Sequence, residues 1–348
     1  MGADRDRVAD PLCRRPIRDR GGGMTSRHTG SITYLRLSVT DRCDLRCAYC
    51  MPAKMEFLPR SEILSLDELD QMASAFIRLG ISKLRLTGGE PLVRKGFVEL
   101  VAELSRHLGN GLDELVITTN GTRLAEHAPA LARHGVRRIN VSIDSLIPEN
   151  YARITRGGDL SRVIAGVDAA LAAGIAVKIN TVALAEDNLD EVVAVAGWAH
   201  RRGAAISFIE VMPLGEVEAK RIDQHVPMSE VRRRLSERWS LTPIALDTGG
   251  PARYVRTDAG GTIGFITPLS DNFCGSCNRV RVTCTGQLYL CLGQDARTDL
   301  RDILRGGNAA ALETAITQAM RKKPLAHDFL IAPERTQGVE RHMSVTGG

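Results

Sequence analysis

Short apolar segments alternate with amphipathic segments along the chain from about Ile32 onward. Runs with a period of two predict strands, and runs with apolar positions three and four apart predict helices. The predicted strands cover residues 34–39, 82–87, 113–118, 137–142, 175–181 and 205–211. The predicted helices lie near residues 66–79, 96–108, 123–134, 160–173 and 188–202. The first of them begins at a capping box, Ser65-x-x-Glu68, and ends at Gly80.

This order of elements predicts the fold class. Strand–helix units in series place their strands parallel, because only a crossover helix can connect parallel neighbours. Six such units are fewer than the eight that close a full barrel. We therefore expect an α/β fold, an incomplete (β/α)6 TIM-type barrel that is open on one side. A doubly wound open sheet is the alternative.

The pattern changes after residue 215, which suggests three segments. Residues 1–30 are rich in Arg, Asp and Gly and are expected to be a disordered tail, with Met24 as an alternative start. Residues 31–215 form the predicted barrel, and residues 216–348 form a C-terminal extension. In the extension we predict a helix at 229–239, strands at 252–257, 262–266, 279–284 and 287–291, and helices near 299–305 and 308–322.

Several predicted strands carry a basic residue on the face opposite their apolar residues. Arg36, Arg85 and Lys178 each stand between apolar residues of their strand. Alternate strand residues point to opposite faces, so aliphatic neighbours packed on the helices leave these cations inside the barrel. A closed barrel core is filled by branched aliphatics, and the cations therefore predict a wide cavity for an anionic ligand. The alternative is a solvated sheet face, or pairing with acids such as Glu210.

Composition and charge narrow the function classes. Hydrophobic residues make up 43% and charged residues 25% of the 348 residues, as in ordinary globular domains. The net charge of +5 and the aromatic content of 4% disfavour nucleic-acid binding. We find neither an apolar run near the ~20 residues of a membrane span nor a signal peptide, and we expect a cytoplasmic protein. Eight cysteines in such a protein indicate metal or redox chemistry rather than disulfides.

Three cysteines, Cys43, Cys47 and Cys50, follow the first predicted strand at the spacing C-x3-C-x2-C. Thiolates are the ligands of iron–sulfur clusters, and a cubane cluster ordinarily takes four of them. Three ligands would leave one iron open to a small molecule, which would make the cluster a catalyst. A structural zinc loop is the alternative, although zinc would need a fourth ligand nearby.

Polar and glycine-rich stretches follow the other predicted strands at their carboxyl ends. They are Thr87-Gly88-Gly89-Glu90-Pro91, Thr118-Thr119-Asn120-Gly121, Ser142-Ile143-Asp144-Ser145 and Glu210-Val211-Met212-Pro213-Leu214-Gly215. Chemistry in parallel α/β folds sits at these strand ends. Each stretch alone is also typical of a turn, but together with the cysteine loop they predict one functional rim.

The C-terminal extension carries a second group of cysteines: Cys274, Cys277, Cys284 and Cys291. A C-x2-C pair with one distant cysteine again gives three ligands. Arg279 and Arg281 share one face of the predicted strand between them. A second open cluster beside two arginines would make an anion pocket near a metal. The alternative is a structural zinc with surface arginines.

The cysteine loop, with Tyr49 before its last cysteine, and the stretch 87–91 resemble the radical S-adenosylmethionine (SAM) superfamily. Within it, the chain is similar to the GTP 3′,8-cyclase family, which performs the first step of molybdenum cofactor biosynthesis. The closer match rests on residues 34–43, residues 265–281 and the terminal Gly347-Gly348. The likeness covers residues 32–348 and leaves residues 1–30 without a counterpart.

The resemblance implies roles for individual residues. Cys43, Cys47 and Cys50 would hold a [4Fe–4S] cluster that chelates SAM, and Cys274, Cys277 and Cys291 a second [4Fe–4S] cluster that binds the guanine of GTP. SAM would contact Tyr49, Gly89, Ser142 and Met212. GTP would contact Arg36, Arg85, Thr118, Lys178, Arg279, Val280 and Arg281, of which Arg36, Lys178, Arg279 and Arg281 are the expected catalytic set. Cys284 stays open as a competitor of Cys291, whose spacing matches the family.

The implied reaction is a radical cyclisation of GTP to (8S)-3′,8-cyclo-7,8-dihydroguanosine 5′-triphosphate. The implied partners are an external electron donor, a second copy in a homodimer, and cyclic pyranopterin monophosphate synthase as the receiver of the product. Two rivals stay open. One is a radical SAM enzyme with an auxiliary cluster that modifies a peptide or protein, and the other is a non-catalytic zinc protein that binds nucleic acid. The cations on the strands favour a polyphosphate over a peptide, and the low net charge and aromatic content count against nucleic-acid binding.

Overall fold

The structure is a computed structural model, and it describes residues 32–212, 214–215, 221–270, 274–324, 339 and 341–347. The predicted tail at 1–30 and the final residue, Gly348, lie outside the described residues. Pro213 and residues 271–273, which belong to two of the motifs above, also lie outside them.

Six strands from the first part of the chain form the centre of one sheet. They are β1 (Tyr34–Ser38), β2 (Lys83–Thr87), β3 (Glu114–Thr119), β4 (Arg138–Ser142), β5 (Ala176–Ala183) and β6 (Ala205–Glu210). The helices between them are α1 (Leu66–Arg78), α2 (Phe97–Ser105), α3 (Leu124–Arg133), α4 (Pro148–Thr155), α5 (Leu160–Ala172) and α6 (Val192–Arg201). All neighbouring pairs from β1–β2 to β5–β6 are parallel, which confirms the predicted strand–helix series.

Helix α1 begins where its capping box predicts. The backbone N–H of Glu68 donates to Ser65 Oγ over 3.1 Å, and the backbone N–H of Ser65 donates to Glu68 Oε2 over 2.7 Å. These bonds satisfy donors that have no partner within the helix. Gly80, two residues past the helix, has φ +99°, a left-handed conformation that glycine adopts without a steric penalty.

The later part of the chain adds strands to both edges of this sheet. Its elements are α7 (Arg221–Gln224), α8 (Met228–Ser236), β7 (Leu241–Ile244), β8 (Arg253–Thr257), β9 (Thr262–Ile266), β10 (Arg279–Val282), β11 (Gln287–Tyr289), β12 (Arg297–Asp299), α9 (Arg301–Arg305), α10 (Ala309–Met320) and α11 (Met343–Thr346). Strand β9 pairs with β6 and β10 pairs with β1, both in parallel. The outer strands continue antiparallel, and the order is β12-β11-β10-β1-β2-β3-β4-β5-β6-β9-β8-β7. The division at residue 215 stays a prediction, since strands from both sides of it share this sheet.

Parallel strands therefore run side by side from β10 to β9, and the sheet is open because these two strands do not pair within the described residues. The expected fold class is confirmed as an α/β fold of the partial-barrel type. Local periodicity missed helix α4 and the short strands β7 and β12. It also did not indicate that β9 and β10 extend the parallel sheet, because those pairings join distant positions such as Tyr34 and Arg279.

The two faces of the central strands differ as the alternation predicts. Leu35, Leu37, Leu84 and Leu86 are fully buried in the apolar core between the sheet and the helices. The residues between them point to the other face, where they line a cavity. One face of the sheet thus packs in the apolar core, and the other face lines the cavity.

Candidate active site

Two adjoining cavities lie along the polar face of the sheet. The cysteine-loop cavity has a volume of about 170 Å³, and Cys43, Cys47 and Cys50 lie in its wall. The cationic cavity has a volume of about 160 Å³, and Cys274, Cys277 and Cys291 lie in its wall. Asn180, Ile209, Met212 and Met343 line both cavities. Molecules in the two cavities would therefore meet at this shared wall.

The cysteine loop presents three free thiols to its cavity. The backbone N–H of Leu45 points at Cys43 Sγ over 3.4 Å, and Arg46 Nη1 donates to the carbonyl oxygen of Cys43 over 2.7 Å. Burial raises the pKa of Cys43 to about 12 and that of Cys47 well above its ordinary value. Metal coordination deprotonates such thiols outright, so their environment fits ligands that ionise when a cluster binds.

Gly88 and Gly89 bring the end of β2 against the cysteine loop. A Cβ at Gly89 would lie 2.3 Å from the carbonyl oxygen of Arg42, and one at Gly88 would lie 2.5 Å from that of Thr40. The N–H of Gly89 donates to Thr40 O, and that of Glu90 to Arg42 O, each over 2.8 Å. The glycines therefore allow close contact between two backbone segments, and Gly89 also lines the cavity.

Two buried carboxyl groups hold the rim of the cysteine-loop cavity together. Asp144 accepts a hydrogen bond from Tyr49 Oη over 2.8 Å, and Glu90 accepts one from Thr119 Oγ1 over 2.7 Å and one from the N–H of Asn120 over 2.6 Å. Burial raises the pKa of Asp144 to about 6 and that of Glu90 to about 7. Both carboxyl groups link strand ends that were predicted to lie on one rim. These links account for the burial of the two groups.

Asp44 ties the cysteine loop to the end of β3. Its carboxylate accepts from Asn120 Nδ2 over 2.7 Å and from Thr122 Oγ1 over 2.6 Å. Asp44 follows Cys43 directly, so the position of that thiol is fixed relative to the next strand end. The sequence offered no signal for this role beyond the adjacency of the two residues.

Seven cationic side chains line the cationic cavity: Arg36, Lys83, Arg85, Arg138, Lys178, Arg279 and Arg281. Within the sheet, Arg36 stands directly opposite Arg85 on one side and Arg281 on the other. Burial and then the charge of Arg281 hold the pKa of Arg36 well below its usual range, and burial with Arg279 lowers that of Arg281 to about 10. Like charges packed this closely repel one another, and an anion in the cavity would stabilise them.

Glu114 balances part of this charge at the start of the strands. Its carboxylate lies 3.0 Å from Lys83 Nζ and 2.7 Å from Arg138 Nη2. The sequence motifs did not indicate a role for these three residues. The available signal was position, since Lys83 and Arg138 precede Arg85 and Asn140 by two residues and so share their face.

Tyr34 lies within the same cluster of cations. Arg85 donates from Nε to the hydroxyl oxygen of Tyr34 and from Nη1 to Thr118 Oγ1, the latter over 2.6 Å. Burial raises the pKa of Tyr34, but the charges of Arg85, Arg36 and Arg279 outweigh burial and lower it to about 8. The neighbouring arginines thus favour the phenolate form of Tyr34 in the cavity wall.

Two cations face the second set of cysteines. Arg279 Nη2 lies 3.4 Å from Cys277 Sγ, and Lys323 Nζ lies 3.7 Å from the same sulfur. Burial raises the pKa of Cys277, but these two charges lower it to about 7. Cys284 does not line the cationic cavity. It lies in the turn after β10, where burial and the charge of Asp41 raise its pKa to about 12 against the opposing charge of Arg94.

The described end of the chain also reaches the site. Arg281 Nη1 donates to the carbonyl oxygen of Gly347 over 2.7 Å. Met343 lines both cavities, and Ser344 lines the cysteine-loop cavity. A side chain at position 347 would collide with Thr87, since its Cβ would lie 2.1 Å from Thr87 Cγ2.

The structure gathers most of the predicted site residues. Tyr49, Gly89, Ser142, Met212 and Thr118 line the cysteine-loop cavity, and Arg36, Arg85, Lys178, Arg279 and Arg281 line the cationic cavity. Val280 is the exception, because its side chain is buried in the apolar core. Only its backbone is available to a ligand, and its contact with GTP stays a prediction.

Two kinds of feature are absent from the described residues. They include no group of three or more His, Cys, Asp or Glu side chains placed to hold a single metal ion. No helix among these residues has the length and apolarity to cross a membrane.

An open parallel sheet with a three-cysteine loop after its first strand defines a radical SAM enzyme. A family model described as "Radical SAM superfamily" matches residues 37–199, and one described as "Molybdenum Cofactor Synthesis C" matches residues 204–329. SAM and a [4Fe–4S] cluster are the cofactors that membership implies.

The chain belongs to the GTP 3′,8-cyclase family. It is 60% identical to the GTP 3′,8-cyclase of Caulobacter vibrioides, over 91% of this chain and 92% of that protein. It is 56% identical to that of Rhodopseudomonas palustris, over 93% and 96%, and 57% identical to that of Paracoccus denitrificans, over 91% and 93%.

Solved structures support the fold alone. Streptococcus suis SuiB bound to S-adenosylmethionine aligns with a TM-score of 0.59 at 14% identity, over 84% of this chain and 69% of that chain. SuiB bound to its precursor peptide SuiA aligns with a TM-score of 0.62 at 13% identity, over 84% and 65%. At such identities the likeness does not extend to the substrate.

Proposed function

We propose that the chain is a GTP 3′,8-cyclase, which converts GTP to (8S)-3′,8-cyclo-7,8-dihydroguanosine 5′-triphosphate in the first step of molybdenum cofactor biosynthesis. One observation carries the proposal. The cavity of the cysteine loop shares a wall with a cavity that holds seven cations and a second set of three cysteines. This arrangement would bring SAM next to a nucleoside triphosphate.

Two [4Fe–4S] clusters fit the two cysteine sets. Cys43, Cys47 and Cys50 would hold the first, and Cys274, Cys277 and Cys291 the second. A reduced first cluster and bound SAM would together supply a 5′-deoxyadenosyl radical, with methionine as the other product, and such a radical removes a hydrogen atom from carbon. In the reaction GTP loses the hydrogen of C3′, C3′ bonds to C8 of guanine, and one electron and one proton complete the dihydro product.

The residues of the chain bind and orient the two molecules. Tyr49, Gly89, Ser142 and Met212 would contact SAM, with Tyr49 held by its hydrogen bond to Asp144. Arg36, Arg85, Lys178 and Arg279 would bind the triphosphate, because guanidinium forks match phosphate oxygens and ammonium groups act as point charges. Thr118 would offer its hydroxyl to GTP near the shared wall, and Val280 would offer only its backbone.

Arg36, Lys178, Arg279 and Arg281 remain the proposed catalytic set. Lys178 is buried, and its Nζ donates to Tyr254 Oη over 2.8 Å, so the ammonium is held at a fixed point of the wall. Arg281 connects the substrate cavity to Gly347. An external electron donor, a homodimer and transfer of the product to cyclic pyranopterin monophosphate synthase complete the proposal, and they rest on the family alone.

The proposal is tested by purifying the full chain without oxygen and measuring iron, zinc and SAM cleavage. We expect about eight irons per chain from two cubane clusters. With SAM, dithionite and GTP, the protein should release 5′-deoxyadenosine, and release should fall when ATP replaces GTP. Zinc in place of iron, or SAM cleavage that is indifferent to GTP, would contradict the assignment. Cys47→Ala is the matched control, which should abolish cleavage.

A further inference from the structure

Lys323 lies beside the second cysteine set and touches neither substrate cavity. It follows helix α10, and only 2% of it is exposed. It is absent from the residues that line the two cavities. Its burial therefore needs an explanation other than a place in the wall of either cavity.

The ammonium group of Lys323 has three N–H donors, and three acceptors surround it. Nζ lies 2.8 Å from the carbonyl oxygen of Arg279, 2.6 Å from that of Leu290 and 3.7 Å from Cys277 Sγ. Arg279 begins strand β10 just after Cys277, and Leu290 directly precedes Cys291. One side chain thus joins the two segments that carry the cysteines.

No carboxylate contacts Lys323 within the described part of the chain, where its polar contacts are the two carbonyls and the sulfur. A buried ammonium without an anion is costly, because it has lost its hydration. Among the described residues, the thiols of Cys277 and Cys291 are the nearby groups that can become anions, and Cys277 is the one in hydrogen-bond contact with Lys323. A positive charge and a hydrogen bond at a ligand sulfur are two of the factors that set the reduction potential of an iron–sulfur cluster.

We infer that Lys323 is a positioning residue for the second cluster. Its ammonium group holds the Cys277 thiolate by a charge-assisted hydrogen bond and favours the reduced state of the cluster. The inference rests on the second cluster of the proposed function. Reduction adds one negative charge to the cluster, and the nearby ammonium stabilises that charge more than it stabilises the oxidised state. Lys323 therefore acts through Cys277 rather than on the substrate.

The test uses the full chain with Cys43, Cys47 and Cys50 replaced by alanine, loaded with iron and sulfide without oxygen. Dithionite reduces the remaining cluster at controlled potential, and electron paramagnetic resonance measures the reduced fraction. Lys323→Met should shift the reduction equilibrium at least tenfold towards the oxidised cluster, which is 59 mV for a one-electron couple. Lys323→Arg should stay within threefold of the parent. Lys322→Met, a change at the exposed neighbouring lysine, is the matched control and should have no effect.

The outcomes distinguish the absence of a second cluster from the absence of a role for Lys323. A parent with no bound iron would overturn the second cluster itself. About four irons and an unchanged equilibrium in Lys323→Met would overturn the role of Lys323 alone. If circular dichroism shows that Lys323→Met is folded but the variant has lost its iron, the result for Lys323→Arg decides whether the inference holds. Iron and an equilibrium like those of the parent support the inference, whereas loss of iron there too overturns it, since arginine keeps the charge.

Discussion

Arg281 and Gly347 are joined by a hydrogen bond of 2.7 Å, from the guanidinium of a cavity-lining strand to a carbonyl near the end of the chain. Gly347 also packs against the side chain of Thr87 at the end of β2. The last described residues are thus part of the wall at the junction of the two cavities. They arrive there only because position 347 has no side chain.

Gly347→Ala is expected to lower the yield of cyclised GTP at least tenfold. The added Cβ would lie 2.1 Å from Thr87 Cγ2, at a backbone φ of +72°, so the segment must move. A tenfold loss corresponds to about 1.4 kcal/mol of transition-state stabilisation. The yield is measured by chromatography of the product after reaction with SAM, dithionite and GTP.

Gly260→Ala is the control for that change. Its φ of +84° imposes similar backbone strain, but nothing lies within 4 Å of the added Cβ. It should cost stability, of the order of 1 kcal/mol, and leave the yield unchanged. Equal losses of yield in the two variants would show that strain, not the contact with Thr87, decides the outcome.

Glu114→Gln should destabilise the ligand-free protein by about 3 kcal/mol, because it leaves Lys83 and Arg138 without their carboxylate. Inorganic triphosphate should then raise the Tm of the variant more than that of the parent, since its charges replace the missing one. Thermal unfolding with and without triphosphate measures both effects. Glu126→Gln removes a half-exposed partner of Arg123 and should change stability by less than about 1 kcal/mol. A gain in Tm equal to that of the parent would argue against a polyphosphate site here.

The cysteines of the second set make separate predictions. Cys291→Ser should reduce bound iron from about eight to about four per chain, because Cys291 lines the cationic cavity with Cys274 and Cys277. Cys284→Ser should keep all of the iron, because that thiol does not line the cationic cavity. Iron analysis after anaerobic reconstitution measures both. Loss of iron from Cys284→Ser alone would reverse the assignment.

Tyr34 is expected to titrate near pH 8 in the folded protein, because three arginines surround it. Between pH 8 and the ordinary value of 10 the unfolded chain holds the proton that the folded chain has lost, so stability rises with pH. This contribution is lost as the pH falls through 8. Tyrosinate absorbance, taken as the difference between the parent and Tyr34→Phe, measures the folded pKa. Inorganic triphosphate should move that pKa back towards 10, and a difference titration already centred there without ligand would contradict the prediction.

The strand–helix series and the side on which Arg36, Arg85 and Lys178 lie were predictable because both depend on local periodicity. Alternation fixes the direction of a side chain once a strand exists. The positions of the cysteine loop and of the strand-end motifs on one rim followed from the parallel order of the strands. These features need no knowledge of distant contacts.

Glu114, Lys323 and the parallel pairing of β10 with β1 were not predictable in this way. In the sequence, Glu114 is an ordinary acidic residue at the start of a strand. Its contacts with Lys83 and Arg138 are evident only when the neighbouring strands are paired in the sheet. Lys323 lies in a basic run that is typical of a solvated helix end, and only the fold buries it under Cys277. The pairing of β10 joins residues far apart in sequence, on which local patterns carry no information.

The parallel pairing of β10 with β1 has a consequence for how the protein unfolds. Strand β1 leads into the loop that carries Cys43, Cys47 and Cys50, and strand β10 follows Cys277. The two strands pair from Tyr34 opposite Arg279 to Leu37 opposite Val282. The relative position of the two cysteine sets is therefore set in part by the geometry of the sheet. If each set holds a cluster, as proposed, the two halves of the chain should unfold in one cooperative transition, and loss of one cluster should weaken the binding of the other.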